Sequence, residues 1–244
     1  LSFKKIHHQV QKLISCNYLH LKLSLYLIKG ESVKKGILFF DLDTQHDFMR
    51  AEGSLYVPGA EAIIQNISKA RRFAFDNGYS ILASTDWHDL ENPEISDSPD
   101  FKDTFPPHCM AGKPGSERVG DLGKLPIDVV PLEPLSDAEL HKLIDKKQFH
   151  IVIRKNEIDV FSNTNTERII EILKPKAIII FGVALDFCVR MALEQLLKRP
   201  GIKTYLLQDA VKGLGNIPDN EIINKFKAGG VEIISTSDLR KNIQ

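Results

Sequence analysis

Ala177-Ile178-Ile179-Ile180-Phe181-Gly182-Val183 is an almost purely aliphatic run of strand length, followed after Ala184-Leu185 by a helical pattern over about Asp186–Lys198 that opens on Asp186-Phe187-Cys188. A strand without polar alternation is buried on both faces, which is the habit of parallel sheets. Parallel strands need crossover connections, and the flanking sequence has them. Upstream, Gly36–Asp43 reads as a buried strand ending in polar residues, Gly59–Asn77 as a helix stopped by Gly78, and Tyr79–Thr85 as a strand. A long irregular segment, Asp86–Leu135, follows. Next come a short helix opening on the capping box Ser136-Asp137-Ala138-Glu139, a strand at Phe149–Lys155, and a helix opening on a second box, Thr164-Asn165-Thr166-Glu167, and stopped by Pro175. Downstream of the central run, Ile202–Gln208 and Val231–Ser235 read as strands, with a helix at Asp219–Ala228 between them. This alternation predicts an α/β fold, a three-layer α/β/α domain with a mostly parallel six-stranded sheet, over residues 32–244.

The chain has 244 residues, 43% hydrophobic and 26% charged, which excludes wholesale disorder. Its 32 basic and 32 acidic side chains cancel, so no global field favours nucleic acid or an anionic membrane. No apolar run is long enough to span a bilayer. Three scattered cysteines, Cys16, Cys109 and Cys188, make no disulfide framework, and a reducing, cytoplasmic setting is the expectation. Residues 1–31 read as an N-terminal extension. The first thirty hold five lysines and no acid, and Leu19 to Leu27 alternate apolar and polar residues as a strand would. The chain begins with Leu1, so the start of translation is not visible in it.

In an open parallel sheet, chemistry gathers beyond the carboxyl ends of the strands. Four such ends carry reactive groups: Asp43, Asp86-Trp87-His88, Lys155 and Asp186-Phe187-Cys188. Cys188 falls in the first turn of a helix, where free N–H groups and the helix dipole favour a thiolate and suit an oxyanion. The competing reading is a small buried hydrophobe. Asp43 can accept a thiol proton and return it to a leaving amine, and Lys155 can keep Asp43 ionised. The competing readings are a strand-end turn residue and a solvated lysine. Between Asp86 and Glu117, Asp86, His88 and His108 offer oxygen and nitrogen donors that suit zinc, iron or manganese, with two prolines stiffening the approach to His108.

Taken in order, these motifs resemble the isochorismatase-like cysteine hydrolases, and among them the nicotinamidase and pyrazinamidase group, from about Lys35 to Leu239. Asp43-Thr44-Gln45-His46-Asp47-Phe48 is similar to the family's Asp-x-Gln-x-Asp-Phe opening. Asp86-Trp87-His88 and Phe105-Pro106-Pro107-His108-Cys109 resemble its metal-bearing segment, and Gly182 to Arg190 its nucleophile signature. The resemblance implies Asp43, Lys155 and Cys188 as catalytic residues, the N–H groups of Ala184 and Cys188 as the oxyanion hole, and a cis peptide between Val183 and Ala184. It implies a divalent metal on Asp86, His88 and His108. Counting back by the family's spacing places Glu94 as a further ligand, with Asp97 and Asp100 as competitors. Aromatic walls for the substrate fall at Phe48, Phe105 and Phe161. Glu157 and Asp159 replace a glycine-rich stretch near the expected mouth of the site, where they would favour a different amide. The expected activity is hydrolysis of a small amide, nicotinamide first, through a cysteine thioester. The rivals are another amide or ureido substrate and an idle member acting as a binding subunit. A homo-oligomer is expected, with no nucleic-acid or membrane partner. No nucleotide cofactor is expected, because Gly213-Leu214-Gly215 lacks the third glycine and strand–helix setting of a dinucleotide loop.

Overall fold

The computed structural model describes residues 36–121 and 126–243. The expected extension at 1–31 lies outside the described residues. The strands are β1 (Ile37–Leu42), β2 (Ser80–Asp86), β3 (Ile127–Val130), β4 (His150–Lys155), β5 (Ala177–Val183), β6 (Lys203–Lys212) and β7 (Glu232–Ile234). The helices are α1 (His46–Met49), α2 (Ala60–Asp76), α3 (Asp137–Ile144), α4 (Thr164–Leu173), α5 (Cys188–Leu197), α6 (Asp219–Ala228) and α7 (Leu239–Asn242).

The strands form one sheet in the order β3-β4-β2-β1-β5-β6-β7, parallel throughout. The expected six strands become seven because β3 lies within the segment read as irregular. It has only four residues, includes Asp128, and leaves Ile127 and Val129 exposed at the sheet edge, so it carries little of the apolar signal that marks an inner strand.

Alternation along the inner strands fills two cores. Phe39, Ile81, Ile179, Phe181, Tyr205 and Leu207 face α2 and Leu239 of α7. Phe40, Leu82, Ile151, Ile153, Ile178, Ile180 and Leu206 face apolar residues of α3, α4, α5 and α6. Each side of the sheet thus closes against helices, the arrangement a doubly buried parallel sheet requires. Gly182 of β5 pairs with Leu42 of β1. Its φ is +122°, and a Cβ there would lie 2.0 Å from the carbonyl oxygen of Leu42. No other residue fits so near a backbone carbonyl. Among the described residues no helix is long and apolar enough to cross a membrane.

The capping box at Ser136 is present, with the Glu139 side chain reaching back to the cap. The box expected at Thr164 is not. Asn163 caps α4 instead, its Oδ1 accepting from the Asn165 amide at 3.0 Å while its Nδ2 donates to Pro131 and Arg154 carbonyls, each at 2.8 Å. Asn163 is buried and Thr164 exposed, so the cap belongs to the residue that also ties α4 to β4. Asn163→Ala is expected to cost about 1–3 kcal/mol in chemical denaturation. Thr164→Ala should change stability by about 0.5 kcal/mol or less. Equal losses would return the cap to Thr164.

Candidate active site

The parallel register places Asp86, the last residue of β2, beside Lys155, the last residue of β4. Asp43 follows the end of β1, and Cys188 opens α5 beyond β5. All four side chains converge. Lys155 Nζ lies 3.1 Å from Asp43 Oδ2 and 3.5 Å from Cys188 Sγ, pairs closely with Asp86 Oδ1, and donates to the Glu157 carbonyl at 3.1 Å. An oxygen of Asp43, an oxygen of Asp86 and the sulfur of Cys188 lie within 4.8 Å of one another. The Lys155 ammonium supplies the positive charge among these three groups.

Burial works against the Lys155 ammonium, but Asp43, Asp86 and Cys188 outweigh it, so Lys155 stays protonated well above the usual lysine range. Burial raises the Asp43 carboxyl against the opposing pull of Lys155. Asp86 is driven well below the usual carboxylate range: burial opposes this, but Lys155, His108 and His88 prevail. For Cys188, burial pushes the thiol well up. Lys155 opposes this and the Asp43 and Asp86 charges add to it. The helix start favours a thiolate, whereas burial first and the neighbouring carboxylates second push the thiol up, an arrangement in which a base beside the sulfur assists its attack. Ser84 Oγ donates to Asp43 Oδ1 at 2.7 Å. Oδ2 faces Lys155 and takes no hydrogen bond among the described residues.

The Val183–Ala184 peptide is cis. The turn that follows is closed by Phe187 and Val189 amides donating to the Ala184 carbonyl, each at 3.1 Å. Behind it, the Asp186 carboxylate accepts from the Leu214, Gly215 and Asn216 amides at 2.8, 3.1 and 3.1 Å. The short glycine-containing loop therefore wraps a protein carboxylate. Gln45 locks the opposite wall: its Nε2 donates to the Asp86 carbonyl at 2.8 Å and its Oε1 accepts from the Asp86 amide at 2.7 Å.

Asp86, His88 and His108 form a second cluster, all buried and each offering one ligand atom within 4.8 Å of the others. Asp86 Oδ2 lies 3.7 Å from His88 Nε2 and 3.6 Å from His108 Nε2. His108 Nδ1 donates to the Pro106 carbonyl at 2.8 Å, which leaves its Nε2 lone pair facing the cluster, as ligating histidines are commonly set. Both ring nitrogens of His88 are buried without a hydrogen-bond partner among the described residues. An orphaned buried nitrogen is costly, and a cation on it would remove that cost. These residues fit a divalent metal, and their nitrogen and oxygen donors suit zinc, iron or manganese.

Glu94 does not join this group of three. Its Oε1 accepts from the Ile158 amide at 2.6 Å, although the side chain is near enough to Lys155, Asp86 and His88 to feel their charges. Its carboxyl is raised, burial leading. Of the competitors, Asp97 is exposed, and Asp100 turns into its own loop to accept from the Lys102, Asp103 and Thr104 amides.

Phe48 and Phe105 stand around His108 with ring centroids 5.3 and 6.0 Å away, and Phe187 meets Phe105 edge-on at 5.4 Å. Phe161 packs elsewhere, against the apolar cluster of α3 to α6 with the Arg199 guanidinium 4.4 Å above its ring. The ring beside Phe105 is Phe187, whose place next to Cys188 was the available signal. Asp159 caps a turn through Phe161 N–H and accepts from Gln195, so it braces α5, and the Glu157 side chain is exposed.

The isochorismatase domain model matches residues 38–238. The chain is 25% identical over 205 residues to the nicotinamidase/pyrazinamidase of Mycobacterium tuberculosis, covering 80% of this chain and 97% of the relative. It is 25% identical over 207 residues to the nicotinamidase of Saccharomyces cerevisiae, covering 76% and 91%. The crystal structure of pyrazinamidase of Pyrococcus horikoshii in complex with zinc superposes with a TM-score of 0.64 at 26% identity, over 82% of this chain and 99% of that one. These matches support a hydrolase acting on amide bonds, and the chain belongs to the isochorismatase family.

Proposed function

We propose that the protein hydrolyses a small aromatic amide, nicotinamide first, through a thioester on Cys188. The observation that carries this reading is the meeting of Cys188 with Asp43 and Lys155 at the carboxyl ends of β5, β1 and β4. Asp43, raised by burial, takes the proton of the Cys188 thiol as the sulfur attacks the amide carbonyl. The Ala184 and Cys188 amides, which have no acceptor among the described residues, receive the oxyanion. Collapse of the adduct breaks the carbon–nitrogen bond, and Asp43 gives its proton to the departing ammonia. Asp43 then draws a proton from water, which attacks the thioester and frees the acid and the thiol. Lys155 holds Asp43 in place and offsets the negative charge that forms on sulfur. Phe48, Phe105 and Phe187 offer flat apolar faces to an aromatic ring. Asp86, His88 and His108 would hold a divalent cation, which when bound supplies a Lewis acid for a ring nitrogen or water.

The test is ammonia release from nicotinamide, pyrazinamide and a panel of aliphatic amides and ureido compounds, with and without zinc, iron or manganese. Release from the two aromatic amides is the expected result. Release from a ureido compound alone would keep the chemistry and replace the substrate, and no release from any amide would overturn the proposal. Asp86→Ala and His88→Ala are each expected to lower the bound metal and raise KM. Elemental analysis checks this, and unchanged metal content in both variants would remove the metal from these residues.

A further inference from the structure

Asp41 is the penultimate residue of β1, wholly buried, where the strand pattern calls for an apolar side chain. It is held by two arginines from distant parts of the chain. Arg71 of α2 donates from Nε to Asp41 Oδ2 at 2.6 Å, from Nη1 to the Val119 carbonyl at 2.5 Å and from Nη2 to Thr44 Oγ1 at 2.5 Å. Arg118 pairs closely with the same Asp41 oxygen and reaches His150 Nε2 at 2.7 Å. Thr44 Oγ1 closes the circuit by donating to Asp41 Oδ1 at 3.0 Å. Asp41, Arg71 and Thr44 are almost completely buried, and the Arg118 side chain is only 5% exposed.

A buried ion cluster of this kind is weak as a source of stability, because desolvating three charges costs about as much as their attraction returns. What it does set is geometry. The cluster clamps the turn that carries Asp43, whose backbone is in the left-handed region at φ +49°, a conformation a non-glycine residue keeps only when its surroundings hold it. The backbone on either side of Arg118 is joined to the same turn: Val119 N–H donates to the Thr44 carbonyl at 2.9 Å, and His46 N–H to the Glu117 carbonyl at 2.8 Å. Side chains and backbone together pin residues 41–46 to residues 117–119.

We propose that Asp41, Arg71 and Arg118, acting through Thr44, are positioning residues that hold the Asp43 carboxylate against the Cys188 thiol. This inference rests on the reading of Asp43 as the group that takes the thiol proton. None of the four touches Cys188 or Lys155 in the contacts described, so their effect reaches the chemistry only through the Asp43 turn. Misplacing a base by a fraction of an ångström slows proton transfer without altering the surfaces that bind substrate.

Thr44→Val separates this role from a merely structural one, since it keeps the shape of the side chain and removes its hydroxyl bonds to Asp41 and Arg71. The readout is the second-order rate at which iodoacetamide alkylates Cys188, followed by mass spectrometry of the peptide that carries it. That reaction needs the thiol proton removed as the S–C bond forms and iodide leaves, and it is independent of which amide is the substrate. Thr44→Val is expected to slow alkylation about tenfold and Thr44→Ser to stay within about twofold of the wild type. Asp43→Asn removes a charge that pushes the thiol up as well as the base that takes its proton; loss of the base dominates, so its alkylation is expected to be at least as slow as that of Thr44→Val. With nicotinamide, kcat should fall in parallel and KM stay within about twofold. Arg118→Lys, which keeps the charge and loses the planar fork, should also slow alkylation and serves as the second variant should Thr44→Val not fold. Wild-type alkylation rates in the folded variant, with Asp43→Asn slow, would overturn the positioning role and leave the mechanism standing. A wild-type rate in Asp43→Asn would instead overturn the assignment of Asp43 as the base.

Discussion

Cys188→Ala is expected to lower turnover by roughly 10⁴-fold or more, with stability changed by about 1 kcal/mol or less. The size of the loss follows from the site: Cys188 is the thiol that meets Asp43 and Lys155 at the start of α5, whereas the nearby Ser84 hydroxyl is engaged as a donor to Asp43 Oδ1. Cys109, the other cysteine among the described residues, is wholly buried, and its amide is tied to Asp47 at 2.7 Å. Stability should hold because Cys188 is a small side chain at a helix start, and Lys155 keeps its two carboxylate partners, Asp43 and Asp86, without it. Steady-state ammonia release and thermal melting check the two halves. Residual activity of a few per cent would assign the attack to another group.

Lys155→Met should be costly in a different way. Lys155 is fully buried and serves two buried carboxylates at once, Asp43 and Asp86. Removing one partner of a buried ion cluster leaves uncompensated charge, at about 3–5 kcal/mol. Methionine fills most of the same volume, so the loss seen in chemical denaturation reads the charge rather than a cavity. Turnover should fall with it, since Asp43 would bind a proton more tightly and no longer accept one from sulfur. A Lys155→Met protein as stable as the wild type would mean that the two carboxylates do not depend on this ammonium.

The part of this site that sequence made legible is the part that strand ends determine. Asp43, Asp86, Lys155 and Cys188 are far apart in the chain but each ends or follows a strand, and a parallel sheet brings such ends to one rim. The aliphatic run in β5 made that sheet readable, because burial on both faces removes the polar alternation of an ordinary strand. What stayed hidden depends on contacts that local pattern does not record. The edge strand β3 lacks an inner strand's apolar signal, and Phe161 is as aromatic as Phe187 but turns to the other face of the sheet. A helix start by itself favours a thiolate, but local sequence does not record the burial, or the two carboxylates beside the sulfur, that push the Cys188 thiol up. Asp41 carries a further sign. A carboxylate in an apolar strand needs a cationic partner, and pairing it would have pointed to Arg71 and Arg118.

The covalent step is the claim most exposed to a single measurement. Excess protein mixed with nicotinamide and quenched in acid within one turnover should release ammonia and leave a nicotinoyl thioester on the peptide that contains Cys188. A nicotinoyl group on any other residue, or undiminished ammonia release after Cys188 has been alkylated, would contradict it.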